Sequence, residues 1–156
     1  MTLAMRKLDH SVKFVPGGAV ALLAGLTTSA VNDTGIAVDK RAVSTGKQFQ
    51  GVTLTLPVEV VLDSGQSQAV DLTIQDSDAS SSGWADLATG TTTLNNGTTT
   101  TGVTTRAVAT LSANALSAKR WVRGQVTFTG SAADTGGDQA ASAFTLAFSG
   151  ANEEPV

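Results

Sequence analysis

The chain has 156 residues, a net charge of -3 and only 15% charged residues. This length fits one domain built around a single core. Binding to nucleic acid requires clustered Lys and Arg, so an acidic chain argues against a nucleic-acid partner. Cysteine is absent, which excludes disulfides and thiolate metal sites. Stability therefore has to come from packing or from assembly.

The N-terminal region is unlike the rest of the chain. Residues 1–18 show no sustained hydrophobic period and end at Pro16-Gly17-Gly18, which predicts an extended N-terminal arm. Residues 19–26 are apolar throughout and predict either a buried strand or a short helix. This run is far too short to span a bilayer, so no membrane partner is expected. The pattern of residues 31–46 predicts a further short strand.

Residues 51–78 carry the clearest pattern in the sequence. Every second residue from Val52 to Leu62 is apolar, and most of the residues between them are not. A period of two is typical of a half-buried strand. The turn signal Ser64-Gly65-Gln66-Ser67 follows, after which Val70, Leu72 and Ile74 alternate with polar residues. The two segments predict an antiparallel pair with one face on a core and one in water.

The middle of the chain is rich in turn-forming residues. Residues 76–83 predict a loop that ends at Trp84. Residues 89–105 are nearly all Thr, Gly and Asn, which predicts a mobile hairpin tip or irregular strands around Asn96-Gly97. Residues 103–111 predict another strand, and residues 112–118 are long enough for only a turn or two of helix.

Alternation returns in the last third. Residues 119–129 predict a strand with Val122, Val126 and Phe128 facing inward, and residues 130–137 predict a loop. Phe144, Leu146 and Phe148 predict the last strand. Seven or eight strands at this spacing predict an all-β fold, a single antiparallel β-sandwich or jelly roll. The expected organisation is an arm at 1–18, a β-sandwich domain at 19–150 and an acidic C-terminal tail at 151–156.

The sequence lacks the motifs of serine or cysteine hydrolases, of glycosidases and of phosphate-binding enzymes. His10 is the single histidine, and it lies in the expected arm, where nothing orders it as a base. No serine sits in a Gly-x-Ser-x-Gly elbow. Two Trp and no Tyr cannot line an aromatic cleft for glycoside hydrolysis. The Gly-Gly pairs lack the lysine and helix of a phosphate site. We therefore expect no enzyme activity, no catalytic residue and no cofactor.

Two clusters leave alternatives open. Asp76, Asp78 and Asp86, with Asp71 or Asp63, are candidate oxygen ligands for calcium. Their spacing does not match a calcium loop, and Asp beside Ser and Gly is common in turns, which favours turns over a metal site. The second cluster is basic and includes an aromatic ring. It could bind a nucleic-acid strand or a carbohydrate, but on an acidic protein a strand edge or a subunit contact is favoured. It comprises Lys119, Arg120, Trp121 and Arg123.

Three segments resemble one protein family. They are VEVVLDSGQSQAVDLTIQDSDASSSGWADLATG from Val58, KRWVRGQVTFTG from Lys119 and AASAFTLAFSGANEEP from Ala140. Together they resemble the head decoration, or cement, proteins of tailed bacteriophages, which are similar to jelly-roll sandwiches. The resemblance runs from Val58 onward, with a strand ending in Gln-x-Ser-Asp, a loop with Trp-x-Asp-Leu, an aromatic and Arg strand, and an acidic tail.

The resemblance implies a structural virion protein on the outer surface of the capsid. Its partners would be the major capsid protein and copies of itself, as a homotrimer. The first 50 residues carry six basic residues against three aspartates, so we expect basic side chains to steer the arm onto an acidic shell. The expected capsid contacts are Arg6, Lys7, His10, Lys13, Lys40 and Arg41. The expected subunit-interface or core anchors are Trp84, Trp121 and Arg123.

Two other classes of protein stay open at this point. A carbohydrate-binding module or a tail adhesin would use the same sandwich with exposed aromatic rings. An enzyme would need a cleft that gathers Asp63, Asp76, Asp78 and Asp86.

Overall fold

The computed structural model describes residues 13–18, 23–26, 31–41, 47–132, 134–141, 144–149 and 152–153, and these residues form an antiparallel all-β structure. The strands in chain order are β1 (Lys13–Gly18), β2 (Leu23–Leu26), β3 (Val31–Thr34), β4 (Val38–Asp39), β5 (Lys47–Gln48), β6 (Gly51–Leu62), β7 (Ser67–Ser77), β8 (Ala85–Asn95), β9 (Val103–Asn114), β10 (Trp121–Gly130), β11 (Asp134–Ala141), β12 (Phe144–Ser149) and β13 (Asn152–Glu153).

Two main sheets contain eleven of these strands. In the first sheet, β6 pairs with β9 along its full length and with β12 and then β11, which pair in turn with β1 and β2. In the second sheet, β10 lies between β7 and the short strands β3 and β4, and β8 pairs with the other side of β7. A small separate ladder joins β13 to β5.

The order of pairing is nested, which identifies the architecture as a jelly roll. The first strand pairs with the last long strand, β1 with β12. Moving inward along the chain, β3 pairs with β10, β6 with β9, and β7 with β8. An antiparallel ribbon that folds over in this way gives two sheets of four strand rows each. The predicted β-sandwich or jelly roll is confirmed.

The core lies between the two sheets and consists mainly of Val and Leu. Side chains alternate between buried and partly exposed along β6, β7 and β10, as the period of two predicts. The predicted inward residues are all buried: Val52, Leu54, Leu56, Val58, Val60, Leu62, Val70, Leu72, Ile74, Val122, Val126, Phe128, Leu146 and Phe148. Phe49 packs its ring against Phe148, with 5.6 Å between ring centroids.

The predicted pairing of β6 with β7 is wrong, because these strands lie in different sheets. The Asp63–Gln66 turn, with Gly65 at a φ of 73°, carries the chain from one sheet to the other. The two apolar faces therefore meet across the core instead of lying side by side. Alternation reveals which face of a strand is buried, but it does not distinguish a partner beside the strand from one opposite it.

The Asn96-Gly97 segment is also not the tip of a hairpin, since β8 and β9 belong to different sheets. The Asn96 side chain is only 3% exposed and lies between two turns. Its Nδ2 donates to the carbonyl oxygens of Leu62 at 2.9 Å and Thr100 at 2.8 Å. Its Oδ1 accepts from the backbone nitrogen of Thr98 at 3.0 Å and from Thr98 Oγ1 at 2.7 Å. Asn96 thereby joins the β8–β9 loop to the end of β6.

Three segments are strands where the sequence predicted something less regular. Most of the Thr-rich tract before Asn96 is β8, where Thr suits extended backbone. The second half of the predicted loop at 130–137 belongs to β11, whose glycine-rich sequence has no alternation. The last part of the expected arm, Lys13–Gly18, is β1 at the edge of the first sheet. Residues 1–12 lie outside the described residues, so the arm stays a prediction.

A disulfide between β6 and β9 tests this topology, because the native chain contains no cysteine. Thr53 and Ser112 are cross-strand partners whose side-chain oxygens lie 2.9 Å apart. Cysteines at both positions should form a disulfide on oxidation. Closing this loop is expected to raise the free energy of unfolding by about 2–4 kcal/mol, measured by urea denaturation of oxidised and reduced protein.

The matched control combines Thr53→Cys with Thr73→Cys on β7. Thr73 alternates with the buried Leu72 and Ile74, so it lies on the outer side of the second sheet. Neither pairing seen in the sheets brings these two side chains together, so the control should form no disulfide. Absence of a disulfide in the Thr53–Ser112 pair under the same oxidation would contradict the pairing of β6 with β9.

Candidate interaction surfaces

The carboxylates that an enzyme would need in one cleft have separate roles, and two of them hold loop backbone. Asp63, at one end of β7, accepts from the backbone nitrogen of Gly102 at 2.9 Å. Near the other end, Asp76 is buried and accepts from the backbone nitrogen of Lys119 at 3.0 Å, and Asp86 accepts from Gln75 at 2.8 Å. Among the described residues, no group of three His, Cys, Asp or Glu side chains is placed to hold a metal ion. Asp78 is largely exposed beside Lys119, at 3.9 Å.

The outer face of the second sheet carries an aromatic and basic row. Arg123 stacks over the ring of Trp84, with 4.2 Å from its guanidinium carbon to the ring centroid. Arg123 Nε donates to Gln75 Oε1 at 2.9 Å, and Gln75 Nε2 donates to Asp86. The row therefore crosses β10, β7 and the start of β8. Trp84 Nε1 is buried, and no described residue accepts its hydrogen bond.

A second stacked pair lies on the same strand. Trp121 shares the outer face of β10 with Arg123, because alternate residues share a face and Val122 between them is buried. Arg120 lies over the Trp121 ring at 5.3 Å and donates to Asp39 at 2.7 Å. This hydrogen bond and the negative charge of Asp39 raise the pKa of Arg120.

Trp84, Trp121 and Arg123 are therefore all partly buried on one surface, and none is a fully buried core residue. Sequence reasoning identified these three residues and named Asp86 only as a candidate metal ligand or cleft carboxylate. It missed Gln75, which accepts from Arg123 and donates to Asp86. The available signal was position, since Gln75 is a polar residue at an outward place in an alternating strand. We call the set Trp84, Trp121, Arg123, Gln75 and Asp86 the outer row.

Lys40 has an internal role. Its Nζ donates to the carbonyl oxygens of Ala115, at 2.9 Å, and Ala118, both in the loop between β9 and β10. Desolvation by burial lowers the pKa of this ammonium group, and the negative charge of Asp76 opposes that shift. The hydrogen bonds tie the segment after β4 to the β9–β10 loop. The Lys40 ammonium group therefore has a structural role in the fold.

The structure describes two of the other expected capsid contacts, Arg41 and Lys13. Arg41 is exposed next to Lys40, and its backbone nitrogen donates to Asp39 at 3.0 Å. Lys13 begins β1. Arg6, Lys7 and His10 lie outside the described residues.

Two long strands, β8 and β9, are edge strands of their sheets. Within the described ranges, β8 pairs only with β7 and β9 pairs only with β6. The exposed side chains of these edges include Thr89, Thr91, Thr93, Thr104 and Thr110, and Arg106 of β9 forms an ion pair with Glu59. Val108 of β9 is 62% exposed. Long edge strands are surfaces where another chain can add by backbone pairing.

Comparison with known proteins identifies the fold. No protein-family model matches the chain, and no curated protein matches it in sequence. A structure of the infectious bursal disease virus Gx strain matches with a TM-score of 0.53 and 9% identity, over 91% of this chain and 32% of that chain. The VP2 subviral particle of infectious bursal disease virus matches with a TM-score of 0.51 and 11% identity, over 91% of this chain and 33% of that chain.

A mutant VP2 protein of the same virus, in derived T=1 particles, matches with a TM-score of 0.50 and 11% identity, over 91% of this chain and 32% of that chain. The chain spans about one third of the length of these viral proteins. At this level of identity the likeness shows a shared fold. In the part of the chain that the structure describes, no helix is long and apolar enough to cross a membrane.

Replacing Lys40 with Met tests its internal role. The substitution keeps the length of the side chain but removes the donor to two carbonyl oxygens. We expect the free energy of unfolding to fall by about 1–3 kcal/mol, because partly buried acceptors lose their partner. Urea denaturation followed by tryptophan fluorescence measures the change.

Lys119→Met is the matched control. The Lys119 side chain is exposed, and its ion-pair contact with exposed Asp78 is 3.9 Å long, so its loss should change stability by no more than about 0.5 kcal/mol. Equal effects of the two substitutions would show that the Lys40 hydrogen bonds contribute nothing specific.

Proposed function

We propose that this chain is a structural virion protein, a decoration or cement protein that binds the outside of an assembled phage head and stabilises the shell. The observation that carries the proposal is the nested jelly-roll pairing, and the chain is similar in fold to proteins of infectious bursal disease virus. Fold alone does not determine function, so the phage-like sequence segments supply the second support.

Two of the three segments that resemble phage decoration proteins lie mainly in the second sheet. The segment from Val58 to Gly90 covers the end of β6, all of β7 and half of β8, and the segment from Lys119 covers β10. β10, β7 and β8 are neighbouring strands of the second sheet, and the outer row lies on its outer face. The third segment, from Ala140, covers β12 in the first sheet.

The described surface suits contact with proteins better than catalysis. Asp63 and Asp76 accept hydrogen bonds from loop backbone, and Asp86 accepts one from Gln75. Lys40 donates to carbonyl groups of the β9–β10 loop. A cement protein needs no reacting group, because each copy that binds only the assembled shell stabilises it by mass action. Partly buried Trp and Arg are the residue types enriched at protein interfaces.

The proposed partners are the major capsid protein and further copies of this chain, as a homotrimer. We propose that Arg6, Lys7, His10, Lys13 and Arg41 contact the shell. Lys40, by contrast, would contribute through the loop that it holds. The outer row, with Trp84, Trp121 and Arg123, is proposed as the subunit contact.

A carbohydrate-binding module or tail adhesin is the second candidate function. The exposed part of Trp121 favours it, because sugars stack on aromatic rings. Arg123 already covers one face of Trp84, and Arg120 lies over Trp121, which leaves less ring surface for a sugar. A glycan array distinguishes the two proposals: a binder lost in Trp121→Ala supports the module, and an array without binders removes it.

The mass of the purified chain at micromolar concentration and its sedimentation with empty phage capsids test the main proposal. A trimer that pellets with capsids is the expected result. A chain that stays in the supernatant at every capsid concentration would contradict a cement function, whatever its oligomeric state.

Charge reversal tests the proposed shell contacts. Changing Arg6, Lys7, Lys13 and Arg41 to Glu should weaken capsid binding by about tenfold or more, equivalent to about 1.4 kcal/mol, because like charges would then face an acidic shell. Binding of the native chain should also weaken as salt rises. Co-sedimentation at several salt concentrations measures both effects.

Arg106→Gln is the matched control, since Arg106 is an exposed cation on β9 in the first sheet. Its replacement should leave the binding unchanged. If the four-residue reversal also leaves binding unchanged, the arm is not the contact surface.

A further inference from the structure

The Asn96-Gly97 pair is a sequence that favours deamidation of the asparagine. An asparagine followed by glycine is prone to lose ammonia, because glycine has no Cβ to hinder attack by its backbone nitrogen on the asparagine side chain. The chain contains five Asn residues, and Asn96 is the one that precedes glycine. We propose that Asn96 is a latent deamidation site, open to reaction in the unfolded chain and closed by folding.

The reaction needs only base and water. The backbone nitrogen of Gly97, after loss of its proton, attacks Asn96 Cγ and forms a new C–N bond. The Cγ–Nδ2 bond breaks, and Nδ2 leaves as ammonia after it takes up a proton. The resulting cyclic imide then adds water at either carbonyl, which gives aspartate or isoaspartate. No oxidant, metal or cofactor takes part.

Folding blocks the first step in two ways. The Asn96 side chain is 3% exposed, which keeps water and base away from it. Four hydrogen bonds also hold the amide: Nδ2 donates to Leu62 and Thr100, and Oδ1 accepts twice from Thr98. Turning Cγ toward the Gly97 nitrogen would break these bonds in a buried site, where their loss is costly.

Deamidation would make the folded arrangement unfavourable. A carboxylate at position 96 has no hydrogen to donate, so it would present negative charge to the carbonyl oxygens of Leu62 and Thr100. Isoaspartate would in addition lengthen the backbone by one atom. The added atom would lie beside the backbone hydrogen bonds that join Asn96 to Gln66 and Gly65. A chain that reacts while unfolded therefore does not return to the same native state.

The inference is independent of the proposed function, because it rests on the Asn96 network alone. For the test, the full chain is incubated at mildly alkaline pH in buffer and in concentrated urea. Peptide mapping by mass spectrometry follows conversion of amide to acid at each asparagine. We expect Asn96 to react at least about a hundredfold faster in urea, because the folded chain reacts only when the network opens. Asn95 and Asn114 serve as internal references.

Gly97→Ala provides a matched variant that should still fold. A Cβ at Gly97 meets nothing within 4 Å, and the φ of Gly97 is not in the left-handed region. In urea, the added methyl group should slow conversion of Asn96 by about tenfold or more, a barrier increase of about 1.4 kcal/mol. An unchanged rate in this variant, or no conversion of the native sequence in urea, overturns the proposed site.

Asn96→Asp imitates the main product and tests the effect on folding. Its midpoint in urea should fall well below that of Asn95→Asp, whose side chain is exposed on β8. Equal midpoints for the two variants, or equal conversion of Asn96 in buffer and in urea, would show that folding does not protect this site.

Discussion

One buried amide joins two of the places where the chain passes from one sheet to the other. The β6–β7 turn and the β8–β9 loop both pass the chain between sheets at the same end of the sandwich, and Asn96 bonds to each of them. All its polar atoms have partners, so burial does not leave an unsatisfied group. The pairings of β6 with β9 and of β7 with β8 extend from this point. The nested order of the jelly roll therefore depends on a residue outside the apolar core.

The opposite end of the sandwich is organised by charged groups. Asp76 and Lys40 each meet backbone groups of the segment between β9 and β10, and Asp39 holds Arg120 over Trp121. These contacts stabilise the loops at this end. The side chains left to face a partner include Thr and the stacked Arg and Trp, beside the open edges of β8 and β9.

The sequence predicted the strands whose two faces differ most. β6, β7, β10 and β12 alternate strongly because one side of each lies on the core, so their positions were correct. β11 was missed, since its Gly-rich sequence carries no alternation. Strand partners were not predictable. A strand alternates in the same way whether the next strand along the chain lies beside it in the same sheet or opposite it in the facing sheet. Trp84, Trp121 and Arg123 were identified from residue type, but their stacking depends on which strands are adjacent.

The placement of the tryptophans makes the protein its own optical probe. The chain has two Trp and no Tyr, and both indoles lie beside arginines on the second sheet. Near-ultraviolet excitation at long wavelength therefore reports on a single side of the molecule. With a partner that has no tryptophan of its own, covering the outer row displaces water and shifts the arginines, which alters the emission, whereas contact with the first sheet leaves the spectrum as it was. The side that meets such a partner can thus be assigned in solution without any label.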